Sequence, residues 1–274
     1  MHLTDFSEYL GLEILFRIGF SIAKYIFFAG IGYFIFYVWK RKDWFKHKIQ
    51  EKFPKDKHLR HEIYWSVVSR IIIGFVAIIM VEYLSYTKIY YDVSSYGVAY
   101  LLFSIVSLIV IHDTYFYWMH RVAHAPKLYR IIHKVHHHST NPTPLASFSF
   151  HPTEAILEIL PFPILLFLVP IHPIALVSVL VFQLTFNVYG HSGFEMAPKK
   201  WVHHPILKYI NTSTHHNLHH KEFHHNYGLY FNYWDRWMGT MDPNYEDRFL
   251  AIKDKAERLQ KEEDQQTKPS IQTA

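Results

Sequence analysis

The stretch H-D-T-Y-F-Y-W-M-H-R-V-A-H, residues 112–124, ends a long apolar segment and begins a histidine-rich region that continues to residue 225. Within this region, H-K-V-H-H-H occupies residues 133–138 and H-H-N-L-H-H occupies residues 215–220. Most of the chain's 22 histidines lie here. Because imidazole is the most common metal-binding side chain in proteins, the region predicts a metal site.

The spacing of the histidines strengthens this prediction. His120 and His124 are four residues apart. Two further sets share the spacing i, i+3, i+4, and they are His133, His136 and His137, and His216, His219 and His220. On a helix, residues at these spacings lie on one face, close enough to converge on one ion. A single pair would carry little weight, but three sets in one chain favour a metal site over isolated surface or core histidines.

Four apolar segments precede or interrupt the histidine motifs, at residues 12–39, 63–84, 98–118 and 155–189. At about 1.5 Å per residue, each is long enough to cross a hydrocarbon core about 30 Å thick. Prolines divide the last segment at V-P-I-H-P, residues 169–173, which predicts a helical hairpin that enters and returns on the same side or, alternatively, a shallow re-entrant pair. The sequence therefore predicts an all-α integral membrane protein with about four transmembrane helices.

The charge distribution predicts the orientation in the membrane. Residues 40–60 contain nine lysine or arginine residues and three acids, and the positive-inside rule places such a loop in the cytoplasm. Counting the crossings from there places the histidine region on the same side, as a cytosolic histidine-rich helical cap. The net charge of +5 is concentrated in this loop, so we expect no nucleic-acid partner. Asp5 and Glu8 stand where a signal peptide would be basic, so we expect no cleavable signal.

Composition restricts both the metal ligands and the domain organisation. The 274-residue chain has no cysteine, which excludes disulfides, thiolate zinc sites and cysteine-ligated iron–sulfur clusters. Any metal must then be held by nitrogen and oxygen atoms. We expect a single membrane domain over residues 1–250, with its histidine motifs in residues 112–240. Residues 251–274 are rich in Lys, Glu and Gln and are expected to form a charged tail, either a frayed helix or a disordered segment.

The number and type of the candidate ligands favour two redox-active ions. Eight or nine histidines exceed what one ion can bind, and nitrogen-rich ligation suits iron, zinc, copper or nickel. Two histidine-held irons at the mouth of a membrane bundle indicate oxygen activation against a lipid C–H bond. A zinc-dependent membrane hydrolase is an alternative, but the chain has no H-E-x-x-H and the three histidine sets contain no acid. A histidine-rich metal transport or storage protein is a second alternative, although its ligands would lie inside the spans.

Several shorter motifs accompany the histidines and carry a family resemblance. They are P-T-P-L-A-S at 142–147, N-V-Y-G-H at 187–191, N-Y-G at 226–228 and W-D-R-W-M-G-T at 234–240. Together with the histidine sets, they resemble the fatty acid hydroxylase and sterol desaturase superfamily of integral-membrane diiron enzymes. The resemblance covers about residues 112–240 and is strongest to members of the sterol C-5 desaturase, or lathosterol oxidase, type.

The resemblance implies two iron ions held by the histidine sets. The implied metal ligands are His120, His124, His133, His136, His137, His191, His216, His219 and His220. A second group, expected around the ligands or in the pocket wall, consists of Asp113, His151, Asn187 and His215. Such residues orient metal ligands through hydrogen bonds. Zinc could replace iron in purified protein, because affinity alone does not favour ferrous iron.

The resemblance also implies the reaction and its partners. The expected enzyme is a membrane oxidoreductase that uses O2 and two electrons to hydroxylate or desaturate a lipid, either sterol-like or fatty acyl. We expect a separate electron donor, such as a cytochrome b5-like protein, a ferredoxin or a reductase, because the chain has no room for a fused cytochrome domain. Hydroxylation and desaturation both remain open, since small shifts in substrate placement decide between them.

Overall fold

The computed structural model describes residues 3–267 of the chain, with side chains from residue 11 to residue 266. The described residues form helices, short helical turns and loops, with no strand among them, which confirms the all-α prediction. The α-helices are α1 (Leu3–Tyr33), α2 (Asp56–Glu82), α3 (Gly97–Ala123), α4 (Pro126–Ile132), α5 (Pro152–Ile159), α6 (Pro161–Leu168), α7 (Pro173–Gly190), α8 (Ser213–Glu222), α9 (Tyr233–Met238) and α10 (Tyr245–Thr267). A π-helical segment, Phe34–Trp39, extends α1.

Four of the described helices are long and apolar enough to cross a membrane. They are Gly11–Trp39, Asp56–Glu82, Gly97–Ala123 and Pro173–Gly190. Large apolar side chains point outward from them: Phe16 is 72% exposed and Phe103 is 65% exposed. Contiguous exposed apolar surface of this kind is stable in hydrocarbon and not in water. The chain is therefore an integral membrane protein, as predicted.

The last apolar segment forms the predicted hairpin. Proline begins each of α5, α6 and α7, where its missing N–H costs no helical hydrogen bond. The last turn of α6 and the turn that follows it contact the loop between α2 and α3, since Lys88 N donates to Leu166 O over 2.8 Å and Tyr90 N donates to Ile171 O over 3.4 Å. The hairpin therefore runs the full height of the bundle and returns to the histidine end, which rules out a shallow re-entrant pair.

Two close contacts hold the membrane helices together. A buried core of α3, α6 and α7 includes Leu108, Phe162 and Val179. Elsewhere in the bundle, α1 approaches α2 at Gly74, where an added Cβ would lie 3.0 Å from the Ile18 side chain. Only glycine leaves room for so close an approach without displacing a neighbour.

The loops at one end of the bundle pack into a cap. The basic loop after α1 reaches the segment after α7, where Lys48 Nζ donates to Gly193 O over 3.3 Å. Gln50 Nε2 also donates to Asn217 Oδ1 of α8 over 2.9 Å. Gly193 has a φ of 72°, a conformation that favours glycine. The basic loop and the histidine motifs therefore lie at the same end of the bundle, as the counted crossings require.

The C-terminal region forms a helix, one of the two forms expected for it, and this helix packs on the cap. Helix α10 continues to Thr267, and its Phe249, Ile252 and Ala256 are buried. Phe249 packs with Leu218 of α8 in one apolar cluster, and Lys253 Nζ donates to Glu195 O over 2.7 Å. A few apolar residues at helical spacing suffice to dock a helix whose other faces are charged. Residues 268–274 lie outside the described residues, and a domain boundary at residue 250 stays a prediction.

Candidate metal centre

All nine predicted ligands lie in two compact groups. The five-histidine cluster consists of His120, His124, His133, His137 and His219. The four-histidine cluster consists of His136, His191, His216 and His220. Within each group, one ring nitrogen from every residue lies within 4.8 Å of the others. Separate segments of the chain thus meet at the cap end of the bundle.

The histidines are not grouped as predicted from their spacing, which placed each i, i+3, i+4 set around one ion. Residues four apart share a cluster, but the residue at i+3 goes to the other one, so His136 separates from His133 and His137. The same division separates His219 from its neighbours on α8. The set His133, His136 and His137 is not on one helix either, because His133 follows the last residue of α4 and His136–His138 form a separate 3-10 turn. The i, i+3, i+4 sets therefore do not converge on one ion each.

In the five-histidine cluster, the Nε2 atoms face one another. His137 Nε2 lies 3.1 Å from His124 Nε2 and 3.0 Å from His219 Nε2. His120 Nε2 lies 2.9 Å from His133 Nε2. The other nitrogen of two of these rings is engaged by the main chain, since His120 Nδ1 donates to Tyr227 O over 2.8 Å and His219 Nδ1 to His225 O over 2.6 Å. A neutral ring that donates through Nδ1 presents a lone pair at Nε2.

The four-histidine cluster repeats this arrangement. His216 Nε2 lies 3.0 Å from His191 Nε2, and His220 Nε2 lies 3.2 Å from both. His191 Nδ1 donates to Asn187 O over 2.8 Å, and His220 Nδ1 donates to Ser139 O over 2.9 Å. In this cluster too, main-chain carbonyls leave the Nε2 lone pairs directed at a common centre.

The donor sets of both clusters fit a bound cation. Lone pairs that face one another at such distances repel, and a neutral ring has no second proton to form a hydrogen bond between them. A metal ion between them removes the repulsion, because metal–nitrogen bonds of about 2.0–2.1 Å at right angles place neighbouring nitrogens about 3 Å apart. All-nitrogen donor sets suit iron, zinc, copper or nickel.

Burial keeps the rings in the metal-binding form. It lowers the pKa of His191 to about 4. Burial, followed by the neighbouring histidines, lowers the pKa of His216 and His220 well below the usual value. The same causes act in the same order on His133 and His137. Neutral imidazole is the form that binds metals, so these rings are ready to bind at neutral pH.

Glu154 is a functional candidate that sequence reasoning missed. Its Oε1 accepts a hydrogen bond from His133 Nδ1, and its side chain is buried at 1% exposure. A carboxylate on the far nitrogen orients a metal-binding ring and raises its basicity. No acid lies within the three histidine sets, yet the fold brings this one to the five-histidine cluster. The available signal was its position three residues after His151.

Two of the residues predicted around the ligands lie away from the clusters. Asp113 Oδ1 accepts from Tyr230 N over 2.7 Å and from Phe231 N over 3.3 Å. It therefore holds the segment after α8 against α3. His151 caps α5, where its Nδ1 accepts from Thr153 N over 3.4 Å. Both side chains support the fold around the centre without contacting a predicted ligand.

The other two residues differ from each other. Asn187 contacts the four-histidine cluster, because its carbonyl accepts the hydrogen bond from His191 Nδ1. His215 is fully buried on the other side of α8, with its ring 5.8 Å from that of Tyr245. Its Nε2 lies 3.4 Å from Asp235 Oδ2. His215 thus belongs to the packing of the cap, while Asn187 lies beside the predicted ligands.

A largely apolar cavity of about 290 Å³ leads from the membrane helices toward both clusters. Its walls come from α1, α2, α5, α6 and α7 and from the segment before α5. Three of its residues, Phe150, Glu158 and Asn187, also line a small cleft bordered by histidines of both clusters. We refer to these three residues as the neck. The inner end of the cavity therefore lies beside the clustered rings.

Four membrane-spanning helices, two converging groups of buried imidazoles and an apolar cavity beside them define a class of protein, the histidine-rich membrane metalloproteins. Residues 105–240 match the fatty acid hydroxylase family. Together with the curated relatives, this match shows that the chain belongs to the fatty acid hydroxylase family.

The relatives match most of the chain. Lathosterol oxidase of Homo sapiens is 33% identical over 242 residues, which cover 86% of this chain and 76% of the relative. Lathosterol oxidase of Rattus norvegicus is 34% identical over 222 residues, covering 79% of this chain and 70% of the relative. A Delta(7)-sterol 5(6)-desaturase of Leptosphaeria maculans is 32% identical over 229 residues, which cover 81% of this chain and 59% of the relative. No solved structure matches the chain.

Proposed function

We propose that the protein is a membrane diiron oxidoreductase that uses O2 and electrons from a separate donor to hydroxylate or desaturate a lipid. Family membership makes it a membrane lipid oxidoreductase. The observation that carries the finer proposal is the convergence of two sets of neutral imidazole lone pairs at the end of an apolar cavity. Neither a zinc-dependent hydrolase nor a metal transporter receives support from the relatives.

The nine clustered histidines would hold the metal, with one ion in each cluster. Two irons would supply the reduction of O2 and the removal of hydrogen from a C–H bond, which no side chain can perform. Zinc has no redox chemistry, so zinc in purified protein would be an inactive substitute. Glu154 would orient His133, and Asn187 O would orient His191 through the hydrogen bonds described above.

The cavity supports a lipid substrate that reaches the clusters from the membrane side. Most of its wall is apolar, which suits a hydrocarbon skeleton. The relatives are named for sterols, which favours a sterol-like substrate, whereas the family name favours a fatty acyl one. The neck then positions one part of the lipid against the clusters, and its geometry decides which carbon reacts.

The cap would face the cytoplasm, where an electron donor can reach it. This orientation rests on the basic loop, residues 40–60, which packs into the cap beside the histidine motifs. The positive-inside rule places such loops in the cytoplasm. A separate protein would then deliver electrons on that side.

Lipid profiling by mass spectrometry tests the proposal. Cells with the protein should contain a lipid that has gained oxygen or lost two hydrogens relative to cells without it. The purified protein, supplied with iron and a reductant, should form the same product only in the presence of O2. Turnover that continues without O2 and reductant would contradict the oxidoreductase proposal, because a hydrolase or transporter needs neither.

A further inference from the structure

The membrane cavity contains cationic side chains that the proposed chemistry does not use. Arg17 and Lys24 of α1 and Arg70 of α2 all line it. Arg17 is paired, because its guanidinium lies 2.6 Å from Glu13 Oε1. Within residues 11–266, neither Lys24 nor Arg70 has a carboxylate within ion-pairing distance, although Glu158 lies in the same cavity wall. The cavity therefore carries two cations without a counterion.

Arg70 is the more constrained of the two cations. It is 5% exposed and lies near the middle of α2. Its Nε donates to Ser21 O over 3.1 Å, while Ser21 Oγ donates to Arg70 O over 2.9 Å. The ring of Phe148 lies 5.0 Å from the guanidinium carbon. These contacts fix the side chain and leave both terminal nitrogens without a hydrogen-bond partner among the described residues.

The terminal nitrogens of Arg70 are therefore available to a ligand in the cavity. Arginine carries five N–H donors, and only the one on Nε is used. A charged side chain within a membrane span is costly and is retained mainly where it binds or transports something. A buried positive charge without a counterion strongly destabilises the folded protein, and an anion bound beside it offsets that free-energy cost.

Arg70 also lies close to the site of the proposed reaction. The Phe148 ring that lies 5.0 Å from the Arg70 guanidinium carbon is itself 6.3 Å from the ring of Phe150. Phe150 belongs to the neck that leads to both clusters. A group bound by Arg70 would thus be held beside the neck, with the remaining apolar wall available for a hydrocarbon chain.

We propose that Arg70, assisted by Lys24 on the adjacent helix, binds the anionic oxygen group of a single-chain lipid, either a carboxylate or a phosphate. The planar guanidinium matches the paired oxygens of such groups, and the ammonium adds a second positive charge. This inference rests on the proposed function only in taking the bound lipid to be the substrate. The inference adds that the preferred substrate is a lipid with an acidic headgroup.

Equilibrium binding to the purified full-length protein tests the inference. The protein, in phosphatidylcholine nanodiscs and without O2 or reductant, is titrated with hexadecanoate, hexadecyl phosphate and hexadecan-1-ol. At least one anion should bind about tenfold more tightly than the alcohol, as one charge-assisted hydrogen bond provides. The anion that binds more tightly identifies the headgroup chemistry. Equal or tighter binding of the alcohol than of both anions would overturn the inference.

Three substitutions locate the site. Arg70→Gln should remove the preference for the anion, whereas Arg17→Gln, in the same cavity but at a cation paired with Glu13, should keep it. Lys24→Gln should reduce the preference by about threefold, since it removes the weaker charge and leaves the Arg70–Ser21 bonds intact. A preference unchanged in both Arg70→Gln and Lys24→Gln would overturn the assignment.

Two readouts keep the result interpretable. The bound metal content and the thermal midpoint report whether Arg70→Gln folds. If Arg70→Gln does not fold, the effect of Lys24→Gln on the anion preference, together with the binding of the three ligands to the wild-type protein, tests the assignment. Because binding is measured without turnover, anion binding without any oxidised product would contradict the proposed function and leave this inference standing. Oxidised lipid from cells, together with tighter binding of the alcohol than of both anions, would support the proposed function and overturn this inference.

Discussion

The main-chain carbonyls that accept hydrogen bonds from histidine Nδ1 atoms determine which ring nitrogen is left for a metal. Tyr227, His225, Asn187 and Ser139 supply these carbonyls, two for each cluster. Because the acceptors belong to the backbone, most side-chain substitutions leave them in place. Removing one ring should therefore remove one metal ligand without changing the tautomer of the others.

His219→Ala should abolish product formation and lower the metal content of the purified protein. The substitution removes a nitrogen that lies 3.0 Å from His137 Nε2 in the five-histidine cluster. Metal analysis by mass spectrometry, together with product formation, measures the effect. His224→Ala is the matched control, because His224 is exposed nearby and belongs to neither cluster. Full metal content and activity in His219→Ala would remove that residue from the proposed ligands.

Glu154→Gln should weaken metal binding by about tenfold or more, because an amide cannot supply the negative charge that polarises the His133 ring. Affinity is measured by competition with a chelator of known strength. Glu257→Gln, on the outer surface of α10, serves as the control. An unchanged affinity in Glu154→Gln would show that His133 binds metal without help from this carboxylate.

At the scale of elements, α10 braces the helix that carries three predicted ligands. Phe249 is fully buried and packs with Leu218 of α8. Phe249→Ala should lower the free energy of unfolding by about 3–5 kcal/mol, the usual cost of such a truncation in a packed core. Denaturant unfolding in detergent measures it, with Arg258→Ala, at a 70% exposed side chain, as control. A loss below about 1 kcal/mol would contradict this bracing role.

The elements that could be predicted from the sequence are those that composition alone determines. The apolar segments indicate the four spans, and the prolines at residues 169–173 indicate the hairpin. The packing of helix α10 on the cap could not be predicted, because only a few apolar residues, Phe249, Ile252 and Ala256 among them, mark its buried face in a charged segment. In the site, all nine clustered histidines were named. Their division between clusters depends on how separate segments cross in space, which spacing alone does not encode.

At the scale of the whole molecule, the metal-free protein should lose stability as pH falls. An unfolded histidine has a pKa of about 6.5, whereas burial holds that of His191 at about 4. Between these values the unfolded chain binds more protons than the folded one, so acid favours unfolding. Each such histidine contributes up to about 1.4 kcal/mol per pH unit.

The thermal midpoint of chelator-treated protein at pH 7.5 and pH 5 measures this effect. The midpoint should be lower at pH 5, and the metal should also dissociate more readily there, because protons compete for the same nitrogens. A midpoint that stays constant or rises at pH 5 would contradict the assignment of neutral, buried rings.

The orientation of the whole molecule can be tested because the chain has no cysteine. Ser95→Cys lies in the loop between α2 and α3, and Lys52→Cys lies in the basic loop; both positions are exposed. A membrane-impermeant maleimide should label Ser95→Cys in intact cells and Lys52→Cys only after permeabilisation. The reverse pattern would place the cap, and with it the electron donor, outside the cytoplasm.

The division of the histidines has a consequence for how the centre assembles. His136 and His137 are neighbours in the chain but belong to different clusters, as do His219 and His220. The same short turn and the same helix therefore serve both ions. The first ion to arrive immobilises segments that the second one also needs, which lowers the entropy cost of the second binding event. Loading should accordingly be cooperative, so that molecules are either filled with both ions or empty, and half-loaded molecules are rare.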